Sequence, residues 1–131
     1  MIDHIPQKVE KSTYSLILNY FQRIKAGDVR GLLNLFTDDS VVYEPFSKSK
    51  CLVSKLEIES FLKTVVMANE GMEYKIRIES EEQSGNTNKV VTLVTFQKGD
   101  AIRSRFTFEI ERADELIGSK IKTLRIEFID M

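Results

Sequence analysis

Alternating apolar and polar residues in the second half of the chain restrict the fold more than any other feature of the sequence. In runs such as "EYKIRIESE" and "IRSRFTF", every second side chain is apolar or uncharged, whereas "KVVTLVTFQ" is apolar on both faces. A period of two is typical of half-buried strands, and an apolar run of this length indicates a central strand. The sequence therefore predicts a sheet of long antiparallel strands, with turns at "GNTN" and "KGD".

The last of these strands changes register part-way along. Ile117 and Ile121 have one parity, whereas Leu124 and Ile126 have the opposite one. A β-bulge inserts one residue into a strand and bends it, so it would reconcile the two halves. We therefore predict a bulge within a couple of residues of Lys122 and a strongly curved sheet.

The first half of the chain shows helical periodicity instead. Residues 8–26 predict a first helix that ends at Gly27, because glycine commonly terminates helices. Asp28 is a good N-cap for a short second helix that ends at residues 38–40. The apolar face of the first helix consists of Ile17, Tyr20, Phe21 and Ile24, and that of the second of Leu32, Leu33 and Phe36.

A short strand and a third helix complete the predicted elements. Residues 41–46 are β-branched or aromatic, and Pro45 fits only at the end of such a strand because it lacks an N–H group. Ser54 and Glu57 then form a capping-box pattern that opens the third helix, which ends at Gly71. Three N-terminal helices packed on a curved, mostly antiparallel sheet make a single cone-shaped α+β domain over residues 1–131, enclosing a pocket.

Composition excludes several classes of partner. The 131 residues are 42% hydrophobic and 30% charged with a net charge of -1, so we expect neither nucleic-acid nor membrane binding. Cys51 is the only cysteine and the start of the chain carries no targeting pattern, which favours a cytoplasmic protein. His4 is the only histidine and lies near an N-terminus that we expect to be mobile. We therefore predict no metal site and no cofactor.

The outward-facing residues of the predicted sheet carry charges of both signs. Arg103 and Arg105 are followed on the same face by Glu109 and Glu111. Such a surface is complementary to itself when it is turned about a twofold axis. We therefore expect a homodimer that uses this face.

The run "YFQRIKAGDVRGLLNLFTDDSVVYEP", residues 20–45, and the order of the elements resemble the nuclear transport factor 2-like superfamily. This superfamily of cystatin-like α+β folds includes SnoaL-like polyketide cyclases and ketosteroid isomerases. The resemblance implies a cone-shaped domain around a pocket for a small apolar or carbonyl-containing ligand. Because the same fold serves isomerases, cyclases, dehydratases and silent ligand binders, individual positions must decide the function.

The ketosteroid isomerases suggest roles for particular residues. In them, an acid before the matching proline removes a proton next to a carbonyl, while a tyrosine and a protonated acid bind the enolate oxygen. Carried over to this chain, the resemblance implies Glu44 as the base and Tyr20 as the oxyanion donor, with Ser104 where the protonated acid belongs. The predicted ligand-binding residues are Phe46, Phe61, Val65, Tyr74, Ser104 and Phe106.

Each of these assignments has a structural alternative. Glu44 also fits a solvated carboxylate at a strand end, and Tyr20 fits a core aromatic residue. Asp38 and Asp39 suit turn chemistry better than an acid pair. The function is accordingly either an isomerase, cyclase or dehydratase that uses Glu44 and Tyr20, or a non-catalytic ligand-binding or protein-interaction module.

Overall fold

The computed structural model describes residues 2–4, 11–45, 51–112 and 118–130. Within these residues the helices are α1 (Lys11–Ala26), α2 (Val29–Leu33) and α3 (Lys55–Ala68). The strands are β1 (Ile2–His4), β2 (Phe36–Tyr43), β3 (Cys51–Leu52), β4 (Glu73–Ser84), β5 (Thr87–Lys98), β6 (Asp100–Glu111) and β7 (Lys120–Asp130). None of the described helices has the length and apolar character needed to cross a membrane.

All of the described strands belong to one open sheet in the order β1-β4-β5-β6-β7-β2-β3. The β1–β4 and β2–β7 pairs are parallel, and the remaining pairs are antiparallel. The buried side chains alternate with exposed ones along the first half of β4 and with half-buried ones from Ser104 onward in β6, as the period of two predicts. The α+β class, with N-terminal helices against a mostly antiparallel sheet, is therefore confirmed.

The predicted bulge lies in β7. Glu109 of β6 is opposite Thr123, but its neighbour Ile110 is opposite Ile121. Lys122 is therefore the extra residue, which confirms the prediction made from the change of parity. A bulge of this kind bends the strand and increases its twist, so the sheet curves around the helices at this point.

The predicted end of the first helix and the predicted starts of the second and third are confirmed, whereas α3 ends at Ala68, before the predicted Gly71. α1 is followed by Gly27 with φ of 73°, a left-handed conformation that strains other residues. The Asp28 side chain accepts a 2.9 Å hydrogen bond from the backbone N–H of Gly31 and caps α2. At α3, the backbone N–H of Glu57 donates to the Ser54 hydroxyl over 3.1 Å. These caps fix where α1 and α3, which form two walls of the cavity described below, begin or end.

The second helix is shorter than predicted, and that part of the interpretation was wrong. Phe36, Asp38 and Asp39 lie in β2 rather than in or at the end of α2. Phe36 pairs with Ile121 of the parallel strand β7, and the register shifts before Val41. Pairing with a strand that is distant in sequence thus outweighs the local helical spacing, because ladder hydrogen bonds and burial stabilise the extended form.

Two short strands were not predicted. The N-terminus was expected to be mobile, but β1 adds to the sheet edge beside β4. β3 pairs with the end of β2, where Tyr43 is opposite Cys51. The predicted starts of the first helix and the last strand, residues 8–10 and 117, lie outside the described residues, as does the predicted strand end at Phe46.

The outer face of the sheet is not covered by the helices. Its centre contains the half-buried Leu93, which is paired with Arg77 on β4 and Arg105 on β6. Arg105 in turn donates to the Glu79 carboxylate over 2.9 Å. An apolar centre between charged groups of both signs has the composition of a self-complementary interface.

We predict that the protein forms a twofold dimer through this face and that Leu93→Glu dissociates it. The new carboxylate would pair with the two flanking arginines within one subunit, but it would place charge in the apolar centre of the contact. Light scattering at roughly tens of micromolar, where an interface of standard size is occupied, should give a dimer for wild type and a monomer for the variant. A monomeric wild-type protein would contradict the prediction. Lys75→Glu, at the exposed margin of the same face, is the matched control.

Candidate ligand cavity

A cavity of about 280 Å³ lies between α1, α3 and the curved inner face of the sheet. It forms where β5, β6 and β7 bend past the end of α3. Its lining residues come from both helices, the segment after α3 and three strands. They are Tyr20, Ile24, Phe61, Val65, Ala68, Asn69, Met72, Phe96, Ile102, Ser104, Phe106, Ile126 and Phe128.

The lining is almost entirely apolar. None of the described lining residues carries a charge. The polar side-chain groups are the hydroxyls of Tyr20 and Ser104 and the amide of Asn69. A mostly apolar enclosure with a few polar groups is the usual composition of a small-molecule site.

Tyr20 of α1 is held by aromatic neighbours. Its ring makes edge contacts with Phe21, Phe108 and Phe106 at centroid distances of 5.0, 5.7 and 6.3 Å. The side chain is fully buried, and its hydroxyl has no hydrogen-bond partner among the described residues. Burial, with the Tyr74 hydroxyl as a smaller contribution, raises the Tyr20 pKa well above its usual range. Tyr20 is therefore a neutral hydrogen-bond donor across the physiological pH range.

Ser104 is a second hydroxyl-bearing residue in the lining of the same cavity. In the sheet it lies between Val94 of β5 and Phe128 of β7, on the inner face. It is fully buried, and within the described part of the chain its oxygen also has no hydrogen-bond partner. The structure thus brings Tyr20 and Ser104, which are distant in sequence, to one enclosed space.

Glu44 is buried directly after the end of β2, with only 3% of its surface exposed. It continues the inner face formed by Ser40 and Val42, both of which are also buried. Glu44 is therefore not the solvated carboxylate of the alternative interpretation. Val42 and Tyr43 are opposite Leu124 and Arg125 of the parallel strand β7, and Glu44 directly follows the second of these pairs.

Ile126 follows Arg125 in β7. It lines the cavity, whereas Glu44 itself is not among the described lining residues. Ser40, on the same inner face of β2, also has a buried hydroxyl without a hydrogen-bond partner in the described ranges. The described lining therefore contains Tyr20 but neither Glu44 nor Ser40.

The other residues selected from the sequence divide into three groups. Phe61, Val65 and Phe106 line the cavity. Tyr74 does not line the cavity, but its ring packs against the lining residue Phe96 at a centroid distance of 5.4 Å. Burial raises the pKa of Tyr74 to about 12. Phe46 lies outside the described residues.

Several lining residues were not selected from the sequence. Ile102, Ile126 and Phe128 share the inward parity of their strands, and this pattern could have identified them. Asn69 and Met72 lie in the connection from α3 to β4, for which no periodic signal exists. Within the described ranges, no group of three or more His, Cys, Asp and Glu residues is arranged to hold a metal ion.

No protein-family model matches the chain, and no curated protein sequence matches it significantly. Solved structures do match. A proposed dehydratase of the nuclear transport factor 2-like family from Streptomyces avermitilis gives a TM-score of 0.78 at 12% identity, over 92% of this chain and 96% of that chain. This chain has the nuclear transport factor 2-like fold. The resemblance inferred from residues 20–45 is therefore confirmed at the level of the fold.

Two further structures illustrate how varied the assignments on this fold are. A ketosteroid isomerase-like protein from Erwinia carotovora atroseptica gives a TM-score of 0.71 at 16% identity, over 90% of this chain and 94% of that chain. A cystatin-like domain of unknown function from Nostoc punctiforme gives 0.76 at 11% identity, over 97% and 81% of the respective chains. At these identities the nuclear transport factor 2-like fold is shared, and the function is not transferred.

We predict that Tyr20→Phe stabilises the protein in the absence of ligand. The substitution keeps the aromatic packing and removes a buried hydroxyl that has no partner, so the free energy of unfolding should rise by about 1 kcal/mol. Urea denaturation followed by circular dichroism measures this change. Tyr14→Phe, at a partly buried tyrosine outside the cavity lining, is the control and should change stability less. A clear loss of stability in Tyr20→Phe would show that the hydroxyl is satisfied within the protein.

Proposed function

We propose that this protein binds a small, nonionic, mostly apolar molecule in the cavity through an oxygen that accepts hydrogen bonds. The observation that carries this proposal is the pair of Tyr20 and Ser104 hydroxyls, which are buried without hydrogen-bond partners in an otherwise apolar space. Leaving a buried hydroxyl unpaired costs roughly 1–3 kcal/mol. A carbonyl oxygen between these groups would recover that cost on binding.

The size and charge of the cavity narrow the class of ligand. Its volume of about 280 Å³ exceeds the roughly 150 Å³ of an engineered cavity in another protein that admits benzene, so a molecule of about two fused rings is a reasonable fit. A carboxylate would lose its hydration on entry and find no described cationic side chain in the lining. The proposed ligand is therefore a ketone, aldehyde, ester or alcohol rather than an acid.

A matched pair of compounds tests this proposal. Methyl β-naphthyl ketone and β-naphthoate have nearly the same shape, but only the second is charged. We expect the ketone to bind at least about tenfold more tightly, since an unpaired buried charge costs several kcal/mol. Isothermal titration calorimetry should also show weaker ketone binding for Ser104→Ala and unchanged binding for the control Ser60→Ala, on the exposed side of α3. Equal affinity for both compounds would contradict the proposal.

Proton transfer at the bound carbonyl is the second candidate function. The burial of Glu44, which directly follows the paired residues Tyr43 and Arg125, supports it. The similar structures also include proteins described as isomerase-like or as a proposed dehydratase. In this proposal, Glu44 takes a proton from the carbon next to the carbonyl. The Tyr20 hydroxyl donates to the enolate oxygen that forms, and this stabilises the developing charge.

Deuterium exchange into β-tetralone, followed by nuclear magnetic resonance in heavy water, tests this chemistry without knowledge of the natural substrate. The ketone carries acidic C–H groups next to its carbonyl. If Glu44 is the base, Glu44→Gln should retain β-tetralone binding and lower the catalysed exchange rate by roughly 100-fold or more. Glu127→Gln, an exposed neighbour of Ile126 on the outer face of β7, is the matched control. Wild-type exchange no faster than that in buffer would leave only the ligand-binding function.

A further inference from the structure

Asn69 is the polar lining residue that neither the sequence patterns nor the proposed function uses. It follows α3 directly, and its side-chain Nδ2 donates a hydrogen bond of 2.7 Å to the backbone carbonyl of Val65. A carbonyl oxygen can only accept, so this bond fixes which end of the amide faces the helix. The side-chain oxygen Oδ1 is consequently the end that is available as an acceptor.

Asn69 is the C-cap residue of α3, and its side-chain hydrogen bond is additional to those of its backbone. The backbone N–H of Asn69 already donates to the same Val65 carbonyl over 3.0 Å. That carbonyl is therefore satisfied without the side chain. The second hydrogen bond holds the amide in one orientation, which is a property of binding groups that are preorganised for a ligand.

Asn69 and the two hydroxyls lie at different depths. Tyr20 and Ser104 are fully buried, whereas Asn69 is only partly buried. Two other lining residues are exposed: Ala68, which directly precedes Asn69, and Ile102, which is 38% exposed. The enclosed end of the cavity thus offers hydroxyl donors, and the open end offers an amide acceptor.

We infer that Asn69 is a specificity-determining residue, which selects ligands with an O–H or N–H donor at the end opposite to their carbonyl or other acceptor group. This inference rests on the proposed binding function and adds a direction to it. The ligand binds with its acceptor group toward Tyr20 and Ser104, and its donor group forms a hydrogen bond with Oδ1 of Asn69. Hydroxyketones and hydroxylated lactones or esters of suitable size belong to this class. A ketone without a hydroxyl group has no donor for Asn69.

Two compounds that differ at one end test the inference. In 6-acetyl-2-naphthol a hydroxyl lies opposite the acetyl group, and in 2-acetyl-6-methylnaphthalene a methyl group replaces it. Wild-type protein should bind the naphthol about fivefold more tightly, the usual scale for one neutral hydrogen bond. In Asn69→Ala the ratio of the two dissociation constants should be close to one, because the hydrogen bond to Oδ1 is absent. The ratio is measured within each variant, so any effect of the substitution on stability or on the cavity as a whole cancels.

Two further variants separate the ends of the cavity. Ser104→Ala should weaken the binding of both compounds and leave their ratio unchanged, because it acts on the acetyl end. Asn69→Asp keeps acceptor oxygens at this position but cannot donate to the Val65 carbonyl, so it should retain only part of the preference for the naphthol. A wild-type ratio near one, or a preference that survives in Asn69→Ala, would overturn this inference while leaving the proposed binding function intact. Failure of wild-type protein to bind either compound would overturn the proposed function itself, and this inference with it.

Discussion

The bulge at Lys122 is the feature on which the cavity depends. It sets two residues of β7 against one of β6, so the strand bends and the inner face of the sheet becomes a hollow. α1 and α3 lie across this hollow, and their side chains fill it around Phe21 and Phe108, which are fully buried. The cavity lies where Phe96 of β5, Ile102 of β6 and Phe128 of β7 contribute to its lining, together with residues of α1 and α3.

Buried polar groups show where the protein departs from optimal packing. Some of those elsewhere in the core are paired: Asn88 donates to Thr13, and Thr92 donates to a backbone carbonyl, each over 3.0 Å. The buried hydroxyls of Ser40 and Tyr74, outside the cavity lining, have no partner among the described residues. In the cavity, the hydroxyls of Tyr20 and Ser104 have no such partners among the described residues. A valine or phenylalanine at these positions would satisfy the fold at lower cost. Their presence in an apolar enclosure is the physical reason for assigning a binding function to this end of the molecule.

The shared fold and the individual positions carry different information. The nuclear transport factor 2-like fold accounts for the hollow sheet and the helices across it, and similar structures with very different assignments have both. The chemistry depends on which side chains face the hollow. In this chain the hollow contains Ser104, whereas Glu44 is buried but is not among the described lining residues. Binding of a neutral oxygen requires only the hydroxyls, whereas proton transfer also requires Glu44 to reach the ligand.

The sequence by itself determined the elements whose signals are local. Local patterns predicted the helix caps at Asp28 and Ser54 and the bulge at Lys122. Capping and strand alternation depend on residues only a few positions apart. Tertiary structure alone decided that Phe36 lies in a strand, since its partner in β7 is distant in sequence. It also decided the site, because the burial of Glu44, the depth of the Tyr20 hydroxyl and the inclusion of Asn69 depend on how α1, α3 and the bent sheet close around one space. No local pattern encodes that enclosure, since it is formed by contacts between segments far apart along the chain.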